Sequence, residues 1–140
     1  MKPGLEPGVA CEIRIVVTPE MCPHFDGVLA HPVYSTWSVV HHMEIAGRRL
    51  LAPFLDPQEE GVGSHICIDH KSPAPIGCSV LVRAEVNSND GRRLEARVTA
   101  RCGKRLIAEG KFVQTILSKE RLAALFERYR PGNDASTWDP

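Results

Sequence analysis

Two hydrophobic periodicities divide this chain. From Ser35 to Leu55, apolar residues at Val39, Val40, Met43, Ala46, Gly47, Leu50, Leu51 and Phe54 recur at steps of three and four, the spacing of one stripe of an α-helix. Ser35 or Thr36 can cap its free N–H groups. Pro53 and Asp56-Pro57 end it, because proline lacks a donor and constrains the residue before it. At about 1.5 Å per residue such a helix runs about 30 Å, enough to cross a small domain.

Most of the remainder alternates. In Glu12-Ile13-Arg14-Ile15-Val16-Val17 the residues Ile13, Ile15 and Val17 share one side and Glu12 and Arg14 the other, a half-buried strand. Residues 18–34 hold three prolines and a glycine, yet Phe25, Val28, Leu29, Val33 and Tyr34 are too apolar for a solvated loop. Long connections of this kind are often lids. After the helix, Gln58-Glu59-Glu60-Gly61 turns the chain into a strand over Val62–His70, with Ser64, Ile66, Ile68 and His70 on one face and His65, Cys67 and Asp69 on the other. Ile76, Cys78, Val80, Val82, Ala84 and Val86 alternate up to an Asn89-Asp90-Gly91 turn, and Leu94, Ala96, Val98, Ala100 and Cys102 alternate on the way back, a hairpin. A third long strand, Arg105–Leu117, follows, with Gly110 expected to mark a bulge. Ser118 caps a short last helix with Leu122, Leu125 and Phe126 on one stripe, and residues 131–140 read as a frayed tail.

The order is strand, long loop, long helix, then four antiparallel strands joined by hairpins. A sheet of that extent curls around the one long helix and buries its stripe, an α+β domain spanning residues 1–140. The strand at Val62–His70 is an exposed edge that a two-fold partner can pair with, which predicts a homodimer, with a tetramer as a further possibility.

Charge and cysteine content narrow the classes. Seventeen basic and seventeen acidic residues cancel, so no summed field favours nucleic acid or an anionic membrane. No apolar run reaches signal or membrane length, which places the protein in the cytoplasm as an expectation. The five cysteines are scattered, with no Cys-x-x-Cys, and read as free thiols. His41 and His42 are adjacent and diverge by about 100° on a helix, so they do not chelate one ion, and no metal site is expected.

Val33-Tyr34-Ser35-Thr36, Met43-Glu44, Leu51-Ala52-Pro53-Phe54-Leu55, Gly61 through His70, Pro75-Ile76-Gly77 and Asp90-Gly91-Arg92-Arg93-Leu94 together resemble the fluoroacetyl-CoA thioesterase family, which has the hot dog fold. The resemblance runs from about Val33 to Glu109 without a gap between Thr36 and His70. It implies an acyl-CoA thioesterase whose catalytic threonine, glutamate and histidine fall on Thr36, Glu44 and His70. Coenzyme A enters as part of the substrate, an acyl-CoA or acyl-carrier thioester with a short or medium acyl chain, and no separate cofactor is implied.

The residues suit that chemistry. Thr36 and Glu44 are eight apart and return to nearly the same helix face. A carboxylate can act as base on water or as nucleophile, and backbone N–H groups at the helix start or at Gly63-Ser64 can meet an oxyanion. The plainer readings are a helix cap for Thr36, an i, i+4 pair with Arg48 for Glu44, and a satisfied strand-end histidine for His70. The chain departs from the family pattern in the lid, where Gly27-Val28-Leu29-Ala30-His31-Pro32 replaces a phenylalanine-rich stretch. It departs again at Trp37, which replaces a small residue and reshapes the acyl pocket, and at Gly110-Lys111-Phe112-Val113, which lacks a histidine. Selectivity for fluoroacetate is therefore not expected. Two other readings stay open: a non-catalytic module binding acyl thioesters, and a hydratase acting on enoyl-CoA.

Overall fold

Which of two neighbouring hydroxyls caps the long helix decides where it starts. In the computed structural model, which describes residues 1–133, Ser35 is the cap: its hydroxyl accepts the Ser38 N–H at 3.1 Å, and α1 runs Thr36–Leu51. A single 3₁₀ turn over Ala52–Phe54 then closes the helix at Pro53, as the sequence requires. Most of the expected tail, residues 134–140, lies outside the described residues.

Among the described residues seven strands accompany α1. They are β1 (Ala10–Val16), β2 (His24–Phe25), β3 (Val28–Leu29), β4 (Glu59–His70), β5 (Ser79–Asn89), β6 (Arg93–Cys102) and β7 (Arg105–Ser118). Five form one antiparallel sheet in the order β1-β5-β6-β7-β4, and β2 with β3 makes a separate two-residue hairpin within the long loop. α1 lies against all five strands of the large sheet. Val39, Met43, Ala46, Leu50 and Leu51 meet Val80, Val82, Ala84, Leu94, Ala96 and Val98, all of them buried. This is the hot dog arrangement.

Three features differ from the sequence reading. Only β5, β6 and β7 are joined by hairpins; β4 crosses to the far edge and pairs with β7, since alternation reports which face a residue occupies and not which strand lies beside it. β4 also starts earlier, at Glu59. Gly110 is not a bulge, because it pairs in register with Ile68 and with Val98. The breaks in register fall at Ser64, Asn87 and Ile107 instead. Gly110 answers a closer constraint: a Cβ there would overlap the backbone carbonyl of Cys67.

After β7, Ser118 accepts the Arg121 N–H at 3.1 Å and opens α2 (Lys119–Arg128). No residue of α2 is buried, so the stripe of Leu122, Leu125 and Phe126 does not join the core of the single chain.

Candidate active site

Because Ser35 caps α1, the hydroxyl of Thr36, the first helical residue, is free for another partner. It lies 2.9 Å from Nδ1 of His70, the last residue of β4. The other ring nitrogen of His70, Nε2, is buried with no hydrogen-bond partner among the described residues, an arrangement natural proteins seldom leave without a use. Burial lowers the His70 pKa below the ordinary histidine value, with the Ser72 backbone pulling the other way, so the ring is neutral near pH 7. Thr36 and His70 line a pocket of about 470 Å³, together with Phe25, Val33, Tyr34, Trp37 and Pro73.

Glu44 is elsewhere. Eight residues along a helix advance about 12 Å, and Glu44 lines a second depression, of about 400 Å³, with His41, Arg48, Gly63, Phe112 and Gln114. No residue lines both spaces. The i, i+4 ion pair is not formed: Arg48 engages the Glu60 carboxylate and the Gly61 carbonyl, which leaves Glu44 without an ion pair among the described residues. A Cβ on Gly63 would sit 3.0 Å from Glu44 Oε1 and 3.3 Å from Phe112, so the glycine is what lets the carboxylate lie against β4. Ser64, the bulged residue, turns its hydroxyl to the Val113 carbonyl at 3.3 Å and accepts from Thr115 at 3.1 Å. One chain therefore brings Thr36, His70 and Trp37 together, and gathers Glu44 and Gly63 some distance away. No group of three or more His, Cys, Asp or Glu among the described residues is placed to hold a metal ion.

Two supports for this geometry were not read from the sequence. Gln114 is buried and donates from Nε2 to the Gly47 carbonyl at 2.9 Å, tying β7 to α1 beside Glu44. The signal was a polar residue at an inward position between Phe112 and Ile116. Tyr34, fully buried, has its Oη 2.6 Å from Nδ1 of His42, which is itself buried on α1, and so pins the residues just before Thr36 to the helix. Replacing Tyr34 by phenylalanine leaves that ring nitrogen without its partner, which should cost about 1–3 kcal/mol. Urea unfolding checks this, and a loss within error of zero would contradict it.

Burial also holds the His42 pKa below the ordinary value, and His41 beside it acts the same way. His42 and His70 thus bind fewer protons folded than unfolded at mildly acid pH. Their contribution to stability is whole above the unfolded value of about 6.5 and is lost as the pH falls through it toward the depressed folded values. The thermal midpoint should therefore drop between about pH 7.5 and about pH 5. Replacing His42 by glutamine should shallow the drop, and an unchanged slope would contradict the assignment.

Comparison with known proteins gives a consistent set of likenesses. The profile of the family described as fluoroacetyl-CoA-specific thioesterase (FlK) matches residues 17–120. The chain is 36% identical over 99 residues to the fluoroacetyl-CoA thioesterase of Streptantibioticus cattleyicolor, covering 71% of each protein. A hypothetical protein of Thermus thermophilus, a thioesterase superfamily member, superposes with a TM-score of 0.85 at 40% identity, over 90% of this chain and 93% of that one. The crystallised fluoroacetyl-CoA thioesterase FlK superposes with a TM-score of 0.81 at 32% identity, over 91% and 99%.

Proposed function

The chain belongs to the fluoroacetyl-CoA-specific thioesterase family, and from that premise we propose that it hydrolyses a short- or medium-chain acyl-CoA with Thr36, Glu44 and His70, in a site shared by two copies of the chain. The observation that carries the reading is the Thr36–His70 contact of 2.9 Å at the pocket, with Nε2 of His70 buried and unpartnered beside it.

Hydrolysis needs three things. A base or nucleophile must act at the thioester carbonyl carbon, donors must meet the developing oxyanion, and the sulfur must depart as a thiolate, which needs little protonation. Glu44 fills the first role, either on water or directly as nucleophile through an anhydride. In the Nδ1–H tautomer His70 donates to Thr36, whose own hydroxyl hydrogen then points into the pocket at the substrate. Backbone N–H groups at Gly63-Ser64 are oxyanion donors. Coenzyme A is part of the substrate, and no other cofactor enters the scheme.

Glu44 reaches the pair from a second copy. β4 is a sheet edge twelve residues long with no strand on its outer side among the described residues, although Gly61 N–H and C=O are taken by the Glu60 and Arg48 side chains. Antiparallel pairing of two such edges about a two-fold axis at Cys67 sets Ser64, the bulged residue beside Gly63, opposite the partner's His70. Glu44 lies against Gly63 and is carried with it. A homodimer is thus the smallest complete unit. No helix among the described residues is long and apolar enough to cross a membrane, and the five cysteines are free, which supports a reducing cytoplasmic setting.

The test is release of free thiol from acyl-CoA substrates, with enoyl-CoA included. Thiol release together with free acid is expected. Binding without release would leave a ligand-binding module, and consumption of enoyl-CoA without thiol would leave a hydratase; either would overturn the proposal.

A further inference from the structure

Phe25 and Trp37, which line the Thr36 pocket, and Val28 and Leu29 on the hairpin strand paired with that of Phe25 together expose an unusual amount of apolar surface. Phe25 is 60% exposed, Val28 68%, Leu29 43% and Trp37 48%. Leaving such a cluster in water is unfavourable unless something apolar is bound there. The cluster is also built rather than loose. Asp26 and Gly27 both have positive φ, 51° and 78°, as the two-residue turn of the β2–β3 hairpin demands, and this tight turn fixes Phe25 on the strand before it. Phe25 meets Trp37 edge to face, with ring centroids 5.6 Å apart and planes at 88°. Trp37 is the residue next to Thr36, so the aromatic pair stands beside the hydroxyl held by His70. Among the described residues Lys71 is the one formal cation lining the pocket, and Glu109 engages it at 3.1 Å.

Size points the same way. At roughly 30 Å³ for a water-sized group, a two-carbon acyl group fills only a small part of a 470 Å³ pocket. We infer that Phe25 and Trp37 form an aromatic acyl receptor beside Thr36, and that it selects thioesters of longer apolar acyl groups, such as hexanoyl, over two-carbon ones. The inference rests on the hydrolase reading above and adds the substrate class and the residues that select it. Phe25 lies two residues before the Gly27–Pro32 stretch that departs from the lid of the fluoroacetate-selective pattern.

The test compares kcat/KM for acetyl-, butyryl-, hexanoyl- and phenylacetyl-CoA in the wild-type protein and in Phe25→Ala, with calorimetric binding of the acetyl and hexanoyl thioether analogues of CoA alongside. Each buried methylene favours binding about fourfold, so hexanoyl, with four more, should exceed acetyl by about 250-fold. Phe25→Ala should cut that ratio to about a tenth; the side chain lies on a surface hairpin, and its removal leaves no cavity in the core. A wild-type ratio near one overturns the inference while leaving the hydrolase reading intact. So does a Phe25→Ala variant that weakens every thioester by one factor, since the pair would then hold the pantetheine arm common to all. If no thioester is hydrolysed the hydrolase reading falls, and the thioethers decide the inference: tighter binding of hexanoyl, weakened in Phe25→Ala, sustains it, and equal binding overturns it.

Discussion

Glu44→Gln is expected to lower kcat for thiol release by about three orders of magnitude, within the range that a positioned general base contributes. Glutamine keeps the shape and cannot take a proton or attack as a carboxylate. Glu44 is exposed on α1 and forms no ion pair among the described residues, because Arg48 is turned to Glu60 and Gly61. The substitution should therefore change stability by no more than about 0.5 kcal/mol, and KM should move little. Steady-state thiol release at saturating acyl-CoA, alongside a melting curve, separates the two effects. A fall of less than tenfold would remove Glu44 from the chemistry.

The largest structural effect is expected from Gly110→Ala. Two strands meet so closely at this point that an added Cβ would overlap the Cys67 carbonyl oxygen and crowd the Ile68 Cα. Both neighbours are backbone of β4, held in register by pairing on either side, so no rotamer change relieves the overlap. The β4–β7 ladder must shift, at an expected cost of about 3 kcal/mol or more, a large part of a typical domain's stability. A shifted β4 also displaces His70, at its end, from Thr36. Urea unfolding measures the loss, and a change below about 1 kcal/mol would show that the edge strand yields freely.

Much of the fold was legible in the order of residues. Alternation at Ile13, at Val80 through Val86 and at Leu94 through Ala100 marked strands whose inward residues the structure buries, and the stripe from Val39 to Leu51 marked the helix they enclose. Alternation carries no information about neighbours, so it does not show that β4 pairs with β7 and not with β5. Gly110 looked like a bulge because a sequence shows a missing side chain and not the backbone that needs the space. Of the candidate site, Thr36, Glu44 and His70 came from spaced likeness to a family. Their residue types alone suited a cap, a surface pair and a strand end equally well. Glu44 returns to the face of Thr36 in angle, but the rise along the helix axis puts the two in separate depressions. Tyr34 and His42 were each unremarkable in the chain, and only the turn into α1 brings them to 2.6 Å.

The division of the site between two chains is tested most directly by mixing two inactive variants. Thr36→Ala and Glu44→Gln are prepared separately, unfolded, and refolded together. If each site takes Thr36 and His70 from one chain and Glu44 from its partner, a mixed dimer carries one intact site and one doubly altered site. Half of the dimers are mixed after random pairing, so thiol release should return to about a quarter of the wild-type rate. Activity no higher than that of either variant alone would contradict the shared site and place all three residues within one chain.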